Sequence, residues 1–137
     1  MYSKIMVPVD LGHADKLTKA LTTAADLSKH YKAPVAYVGV TAATPSSIAH
    51  TPEEYRGKLD AFAKSESQKH GHDAEAVTIV SHDPTIDLDD ELLKAVRDTG
   101  SDLVVMASHI PNLADYVWPS NGGSIAAHSD ASVFVVR

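Results

Sequence analysis

Short apolar runs alternate with amphipathic stretches along this chain. The runs are rich in β-branched residues and are bounded by polar or turn-forming residues, which is typical of strands buried on both faces. Five segments fit this description: Lys4–Val9, Pro34–Val40, Ala74–Val80, Leu103–Ala107 and Ser132–Val136. We therefore predict five strands.

Apolar positions spaced three and four residues apart separate these strands and predict helices. The predicted helices contain Leu17 to Tyr31, a segment beginning at Thr51, Leu88 to Thr99, and Ser124 to His128. The second should begin with a capping box, in which Thr51 caps the helix, Pro52 is its first residue and Glu54 reaches back. The order βαβαβαβαβ predicts one α/β domain over residues 1–137, with a parallel sheet covered by helices on both faces.

Composition and charge narrow the class of protein. The 137 residues include no cysteine, which excludes a thiolate zinc site, an iron–sulfur cluster and a cysteine nucleophile. The 12 Lys and Arg residues against 18 Asp and Glu give a net charge of −6, which disfavours attraction to nucleic acid or anionic lipid. No apolar stretch approaches the roughly 20 residues that cross a bilayer, and the N-terminal run is too short for a signal peptide. We expect a cytoplasmic protein without a nucleic-acid partner and without membrane insertion.

Polar residues follow the first and fourth predicted strands. Open parallel sheets bind ligands beyond the carboxyl ends of their strands, where the strand order reverses. Asp10 follows the first strand and could hydrogen-bond a ribose, hold a metal-bound water or act as a base, or it could cap the following turn. His109 follows the fourth strand and could be a general base or a phosphate contact, or a solvated loop residue.

A long polar connection leads from the fourth strand to the last helix. Its final part, Ser120 to Ser124, can present backbone N–H groups and hydroxyls at the positive end of that helix, as phosphate sites do. Alternatively, Ser120 or Asn121 only caps the helix. The P-loop, the dinucleotide-binding glycine fingerprint, the nucleophile elbow and the zinc-protease motif are all absent from the sequence.

His70 and His72 have a spacing that can bind a metal. No acidic or sulfur partner is assured by the sequence. We therefore predict two surface histidines and no metal site.

Three segments of the chain resemble the universal stress proteins. They are Lys4–Asp10, which looks like the first strand of that family, Asp102–His109, which looks like its fourth, and Ser132–Arg137, which looks like its closing strand. The resemblance covers essentially the whole chain. It implies a three-layer, Rossmann-like sandwich of the adenine-nucleotide alpha-hydrolase type, with five parallel strands in the order 3-2-1-4-5.

The resemblance also implies a site for ATP or another adenine nucleotide, for which Mg²⁺ is a candidate companion. By position, the residues are Pro8, Val9 and Asp10 flanking the adenosine, Val40 at the adenine edge, Met106, Ala107 and His109 along the ribose and first phosphates, and Ser120 and Asn121 toward the phosphate tail.

The glycine signature of the family is degenerate here. Ala107, Ile110 and Pro119 stand where it has glycines, if Ser120 is the signature serine. An alternative alignment places Gly123 and Ser124 on its final pair, at the cost of a three-residue insertion. Because Pro119 lacks an N–H donor and Ile110 adds a branched side chain, phosphate should bind about tenfold or more weakly than in relatives with the glycines. Pro111, Ser120 and Asn121 resemble a branch of the family in which the second glycine is also absent and nucleotide is nevertheless bound.

The resemblance further implies a homodimer formed through Ser132 to Val136 and action through an unidentified protein partner. We expect a binding module with little or no hydrolysis. Two alternatives remain open: an interaction dimer that has lost nucleotide binding, and a phosphate-ester hydrolase using Asp10 and His109. The hydrolase lacks a recognisable set of nucleophile, base and orienting group.

Overall fold

Strands and helices alternate along the residues that this computed structural model describes, which are 1–83, 88–107 and 121–137, with 121 and 122 described as backbone only. The strands are β1 (Ile5–Pro8), β2 (Val35–Ala42), β3 (Ala74–Ser81), β4 (Leu103–Ala107) and β5 (Ser132–Val136). The helices are α1 (Thr18–Tyr31), α2 (Pro52–His70), α3 (Leu88–Thr99) and α4 (Asn121–His128), and a short 3₁₀-helix (Leu11–Lys16) precedes α1.

The five strands form one parallel sheet in the order β3-β2-β1-β4-β5. Helix α2 packs on β2 and β3, α1 packs mainly on β1 and β4, and α3 contacts α4 as well as β1 and β2. Right-handed crossovers place α1 and α2 on one face and α3 and α4 on the other. The predicted fold class and strand order are confirmed.

The core follows from the apolar character of the inner strands. Ile5, Val35 and Val104 are completely buried, one from each of β1, β2 and β4. A strand with helices on both faces has no polar side, so its apolar residues run without alternation. The outer strands β3 and β5 are more exposed, and Phe134 and Val135 of β5 keep 46% and 42% of their surface accessible.

The start of β1 is fastened to the start of β4 by one carboxylate. Asp102 accepts hydrogen bonds at 3.0 to 3.1 Å from the backbone N–H groups of Ser3 and Lys4 and from the Ser3 hydroxyl. Partial burial raises the pKa of Asp102, but these hydrogen bonds outweigh it and hold that pKa below its usual value. The two central strands are therefore joined firmly at their amino ends.

Two helix starts differ in detail from the prediction. Thr51 caps α2 by accepting from the Glu54 N–H at 3.1 Å, but Glu54 reaches back to the N–H of His50 at 2.9 Å rather than to the cap residue. Helix α4 begins at Asn121 instead of Ser124, so the predicted phosphate-binding segment contributes its last residues to the helix. None of the helices in the described ranges is both long and apolar enough to cross a membrane.

Candidate functional site

The sheet opens between β1 and β4 toward their carboxyl ends. These strands are paired only at Ile5↔Leu103 and Met6↔Val104. Beyond that point β1 stays with β2 as far as Pro8↔Val38, while β4 stays with β5 as far as Ala107↔Val136. This divergence lies at the topological switch point of the strand order, which is where open α/β sheets bind ligands.

Asp10 stands at the β1 side of this opening. Its Oδ1 accepts from the N–H of Gly12 at 3.0 Å, and its Oδ2 lies 2.9 Å from Nδ1 of His13. The carboxylate therefore caps the 3₁₀-helix, as one of the two interpretations from the sequence had it. It also keeps about a quarter of its side chain exposed, at 24%, and a carboxylate can accept more hydrogen bonds than these two. The cap and a ligand contact are thus compatible.

His13 is a second polar group at this edge, and the sequence pattern did not point to it. Its side chain is 27% exposed beside Asp10. The only available signal was its position three residues after an acidic residue in a turn. Hydrogen bonding of Nδ1 to a carboxylate fixes the orientation of an imidazole ring, so Asp10 holds His13 in place as well as the turn.

The β2 side of the opening is built from α2 and the loop before it. Tyr55, in the first turn of α2, packs against Gly39 of β2 and is only 5% exposed. Ile48 in the loop lies against Gly12, since a Cβ on Gly12 would be 3.3 Å from its Cδ1. Lys58 donates to the carbonyl of Ile48 and fastens the loop to α2. The sequence did not single out Tyr55 either.

The predicted site residues differ in how exposed they are. Asp10, Val40 and Ala107 are partly exposed at the carboxyl ends of β1, β2 and β4. Pro8, Val9 and Met106 are buried in the core, so they could meet a ligand mainly through their backbone. Asn121 is the first residue of α4. His109 and Ser120 lie outside the described residues, as do Ile110, Trp118 and Pro119, on which the signature argument rests.

The prediction of two surface histidines is wrong for His72. This residue is 7% exposed, and its Nε2 lies 2.9 Å from the Tyr37 hydroxyl. Nε2 of His70 lies 3.1 Å from the carboxylate of Glu66, which is itself only 7% exposed. Within residues 1–83, 88–107 and 121–137, no three His, Asp or Glu side chains are placed to hold a metal ion.

The chemistry around His72 favours its neutral form. Burial lowers its pKa most, and the neighbouring His70 lowers it further, while the carboxylate of Glu66 partly opposes them. Burial together with the charge of Glu66 raises the pKa of Tyr37, so its phenol stays protonated and can donate to His72.

Two grooves lie away from the opening of the sheet. One, of about 430 Å³, runs between α2 and the edge of β3 and is lined by residues such as Lys64 and Glu75. The other, of about 310 Å³, lies between α1 and α2 and includes Glu66 and His70. Neither groove contains a residue predicted to bind nucleotide.

The sheet order defines a doubly wound α/β fold whose strands β1 and β4 separate at the switch point, where open sheets of this kind bind ligands. Comparison with protein families identifies one family within this class. The profile of the Universal stress protein family matches residues 1–137. The chain belongs to the universal stress protein family.

Individual relatives agree with this assignment. Universal stress protein G of Shigella flexneri is 25% identical over 148 aligned residues, which cover all of both chains. The universal stress protein of Archaeoglobus fulgidus in complex with dAMP superposes with a TM-score of 0.68 at 17% identity, covering 99% of this chain and 98% of that one. A universal stress protein family protein of Arabidopsis thaliana with AMP bound gives a TM-score of 0.63 at 17% identity, covering 98% and 90%.

Proposed function

We propose that this protein binds an adenine nucleotide in the crevice at the carboxyl ends of β1 and β4 and acts as a binding module rather than as a classical enzyme. The observation that carries this proposal is the separation of β1 from β4 beyond Met6, with Asp10 at its edge. The nucleoside would lie over the carboxyl ends of β1 and β2, near Asp10 and Val40. The phosphates would extend toward His109, Ser120 and the first residues of α4.

Two kinds of observation support the proposed binding of an adenine nucleotide. Family membership places the chain among proteins of which some have been solved with dAMP, cAMP or AMP. The partly exposed carboxylate of Asp10 is a suitable acceptor for ribose hydroxyls. In the described part of the chain, Asp10 pairs with the N–H of Gly12 and the imidazole of His13, and neither is a nucleophilic hydroxyl or thiol, which suits a binding role.

Titration of nucleotide-stripped protein with ATP, ADP and AMP, each with and without Mg²⁺, tests the proposal. We expect saturable micromolar binding by calorimetry. Asp10→Ala should weaken it about tenfold to a hundredfold, because hydrogen bonds to charged groups contribute roughly 1.5–3 kcal/mol each.

Two further variants distinguish the loss of a contact between Asp10 and nucleotide from damage to the turn that Asp10 caps. Asp10→Asn keeps an acceptor for the N–H of Gly12 but loses the charge, and should bind weakly while remaining as stable as the wild type. Asp26→Ala removes an exposed carboxylate on α1 and should bind normally. Absence of binding to all three nucleotides at millimolar concentration would refute the proposal and favour the interaction dimer that has lost nucleotide binding.

We also propose that two copies pair through β5. This edge strand presents the exposed side chains of Phe134 and Val135, and proteins usually cover such an apolar edge. We expect the wild type to sediment at twice the mass of one chain and Val135→Lys to sediment as a monomer. Val80→Lys is the matched control, because Val80 is equally exposed, at 44%, on the opposite edge strand β3. A monomeric wild type, or a monomer produced only by Val80→Lys, would contradict pairing through β5.

A further inference from the structure

Tyr55 is a buried tyrosine whose hydroxyl lies at the candidate site. The residue is 5% exposed, and its phenol end lies over Gly39, one residue before Val40. A Cβ built on Gly39 would be 2.3 Å from the Tyr55 Oη and 3.0 Å from Cε1 and Cζ. Since Val9 donates to the carbonyl of Val38 at 2.8 Å, the end of β1 lies directly beside this part of β2.

The hydroxyl of Tyr55 forms no hydrogen bond with any residue in the described ranges, although almost the whole side chain is buried. Its oxygen is not one of the fully buried side-chain atoms without a partner in those ranges, so it keeps contact with solvent. A hydroxyl donor without a protein partner, open to solvent at the candidate site, is available to a ligand.

The electrostatic surroundings define what that partner can be. Burial raises the pKa of Tyr55, and the negative charge of nearby Asp10 raises it further, so the phenol stays neutral and can donate. The same carboxylate repels a phosphate. A neutral acceptor, such as a ring nitrogen or a sugar oxygen, suits the position better.

We propose that the Tyr55 hydroxyl donates a hydrogen bond to the base or sugar of the bound nucleotide, with its ring against Gly39 forming a wall of the nucleoside pocket. This inference rests on the proposed nucleotide binding and adds a specificity-determining residue to it. Only a small residue at position 39 lets the ring lie this close to β2.

The test compares adenosine and AMP binding to the wild type and to Tyr55→Phe by calorimetry. The variant keeps the ring on Gly39 and removes only the hydroxyl. We expect affinity to fall about threefold to tenfold, the range of one neutral hydrogen bond. The factor should be equal for adenosine and AMP, because the phosphate does not take part. Tyr31→Phe, on α1 against Tyr2, is the matched control and should bind as the wild type does.

Adenosine analogues that each lack one acceptor provide a second test. One analogue should bind the wild type more weakly than adenosine does, by the same factor that Tyr55→Phe costs. Tyr55→Phe should bind that analogue and adenosine equally well, as a double-mutant cycle requires for two groups in contact. If the wild type binds nucleotide and Tyr55→Phe binds equally well, or is weakened for AMP alone, the role of Tyr55 is refuted while nucleotide binding stands. If the wild type binds neither ligand, the role of Tyr55 is refuted, and if it binds neither ATP nor ADP either, the proposed nucleotide binding fails as well.

Discussion

Replacing Gly39 by alanine is expected to lower the free energy of unfolding by about 1–3 kcal/mol, the usual cost of overpacking a close-packed core. The new Cβ would lie 2.3 Å from the Tyr55 hydroxyl oxygen. The phenol cannot simply turn away, because Tyr55 is buried between α2 and the sheet. Either the ring or the start of α2 must shift. Urea denaturation followed by circular dichroism measures the loss.

Two companion variants separate this clash from a general effect of losing a glycine. Gly57→Ala lies on the exposed surface of α2, where a new Cβ meets nothing within 4 Å, and should stabilise the helix by about 1 kcal/mol or less. Adding Tyr55→Phe to Gly39→Ala should recover part of the loss, because the closest atom is removed and the two changes are then not additive. Equal stability of Gly39→Ala and the wild type would show that the ring is held less tightly than this contact indicates.

The strand pattern of this fold could be predicted from the sequence because a strand that is buried on both faces is a continuous apolar run. β4 has the bounds predicted from its uninterrupted apolar run, and the more exposed edge strand β5 also has its predicted bounds. β2 extends two residues further, to Ala42, because its backbone pairing with β3 continues through Ala42↔Ser81. Hydrogen bonds between backbones do not depend on side-chain polarity, so hydropathy could not indicate this extension.

The start of α4 was not predicted correctly from local helix propensity. Asn121, Gly122 and Gly123 were assigned to a loop because glycine is a poor helix former, yet the helix begins at Asn121. Packing of α4 on β5 and α3 overrides the local preference.

The candidate site was predicted in outline but not in composition. The position of Asp10 follows from the rule that ligands bind at the carboxyl ends of parallel strands. Its partner His13 depends on the geometry of the 3₁₀ turn, and the contact between Tyr55 and Gly39 depends on how α2 packs on β2. Both are properties of the folded chain that a single sequence does not state.

His72 was missed for a related reason. Two histidines around Gly71 look like a solvated turn, and Gly71 does end α2 with a left-handed φ of 71°. The turn, however, directs His72 inward to Tyr37, where its backbone carbonyl also accepts from Ser67 at 2.5 Å. A polar residue next to a glycine turn can therefore belong to the core when a buried tyrosine supplies its partner.

Lowering the pH from 7 to 5 is expected to destabilise the protein through His72. Burial lowers the pKa of His72 below the 6.5 that it has when unfolded, with a further contribution from His70. Below that pH the unfolded chain binds a proton that the folded protein resists. The stabilisation is therefore complete above about pH 6.5 and is lost as the pH falls through the lower pKa of the folded state, at no more than about 1.4 kcal/mol per pH unit for one proton.

The groups around His72 both oppose and favour its protonation. Nδ1 is buried without a hydrogen-bond partner in the described part of the chain, and Nε2 already pairs with Tyr37. The other charged neighbours are Glu66 and His70 on α2, Lys29 on α1 and Asp73 before β3. The carboxylates of Glu66 and Asp73 favour a charged imidazole, but burial together with His70 and Lys29 outweighs them.

Urea titrations at pH 7, 6 and 5 measure the effect. His72→Gln cannot titrate but can still hydrogen-bond to Tyr37, and its free energy of unfolding should change less with pH than that of the wild type. The pair of Glu66 and His70 is present in both proteins and cancels from the comparison. His128→Gln, an exposed change on α4, should keep the slope of the wild type. Equal slopes for His72→Gln and the wild type would mean that the buried imidazole does not control acid stability.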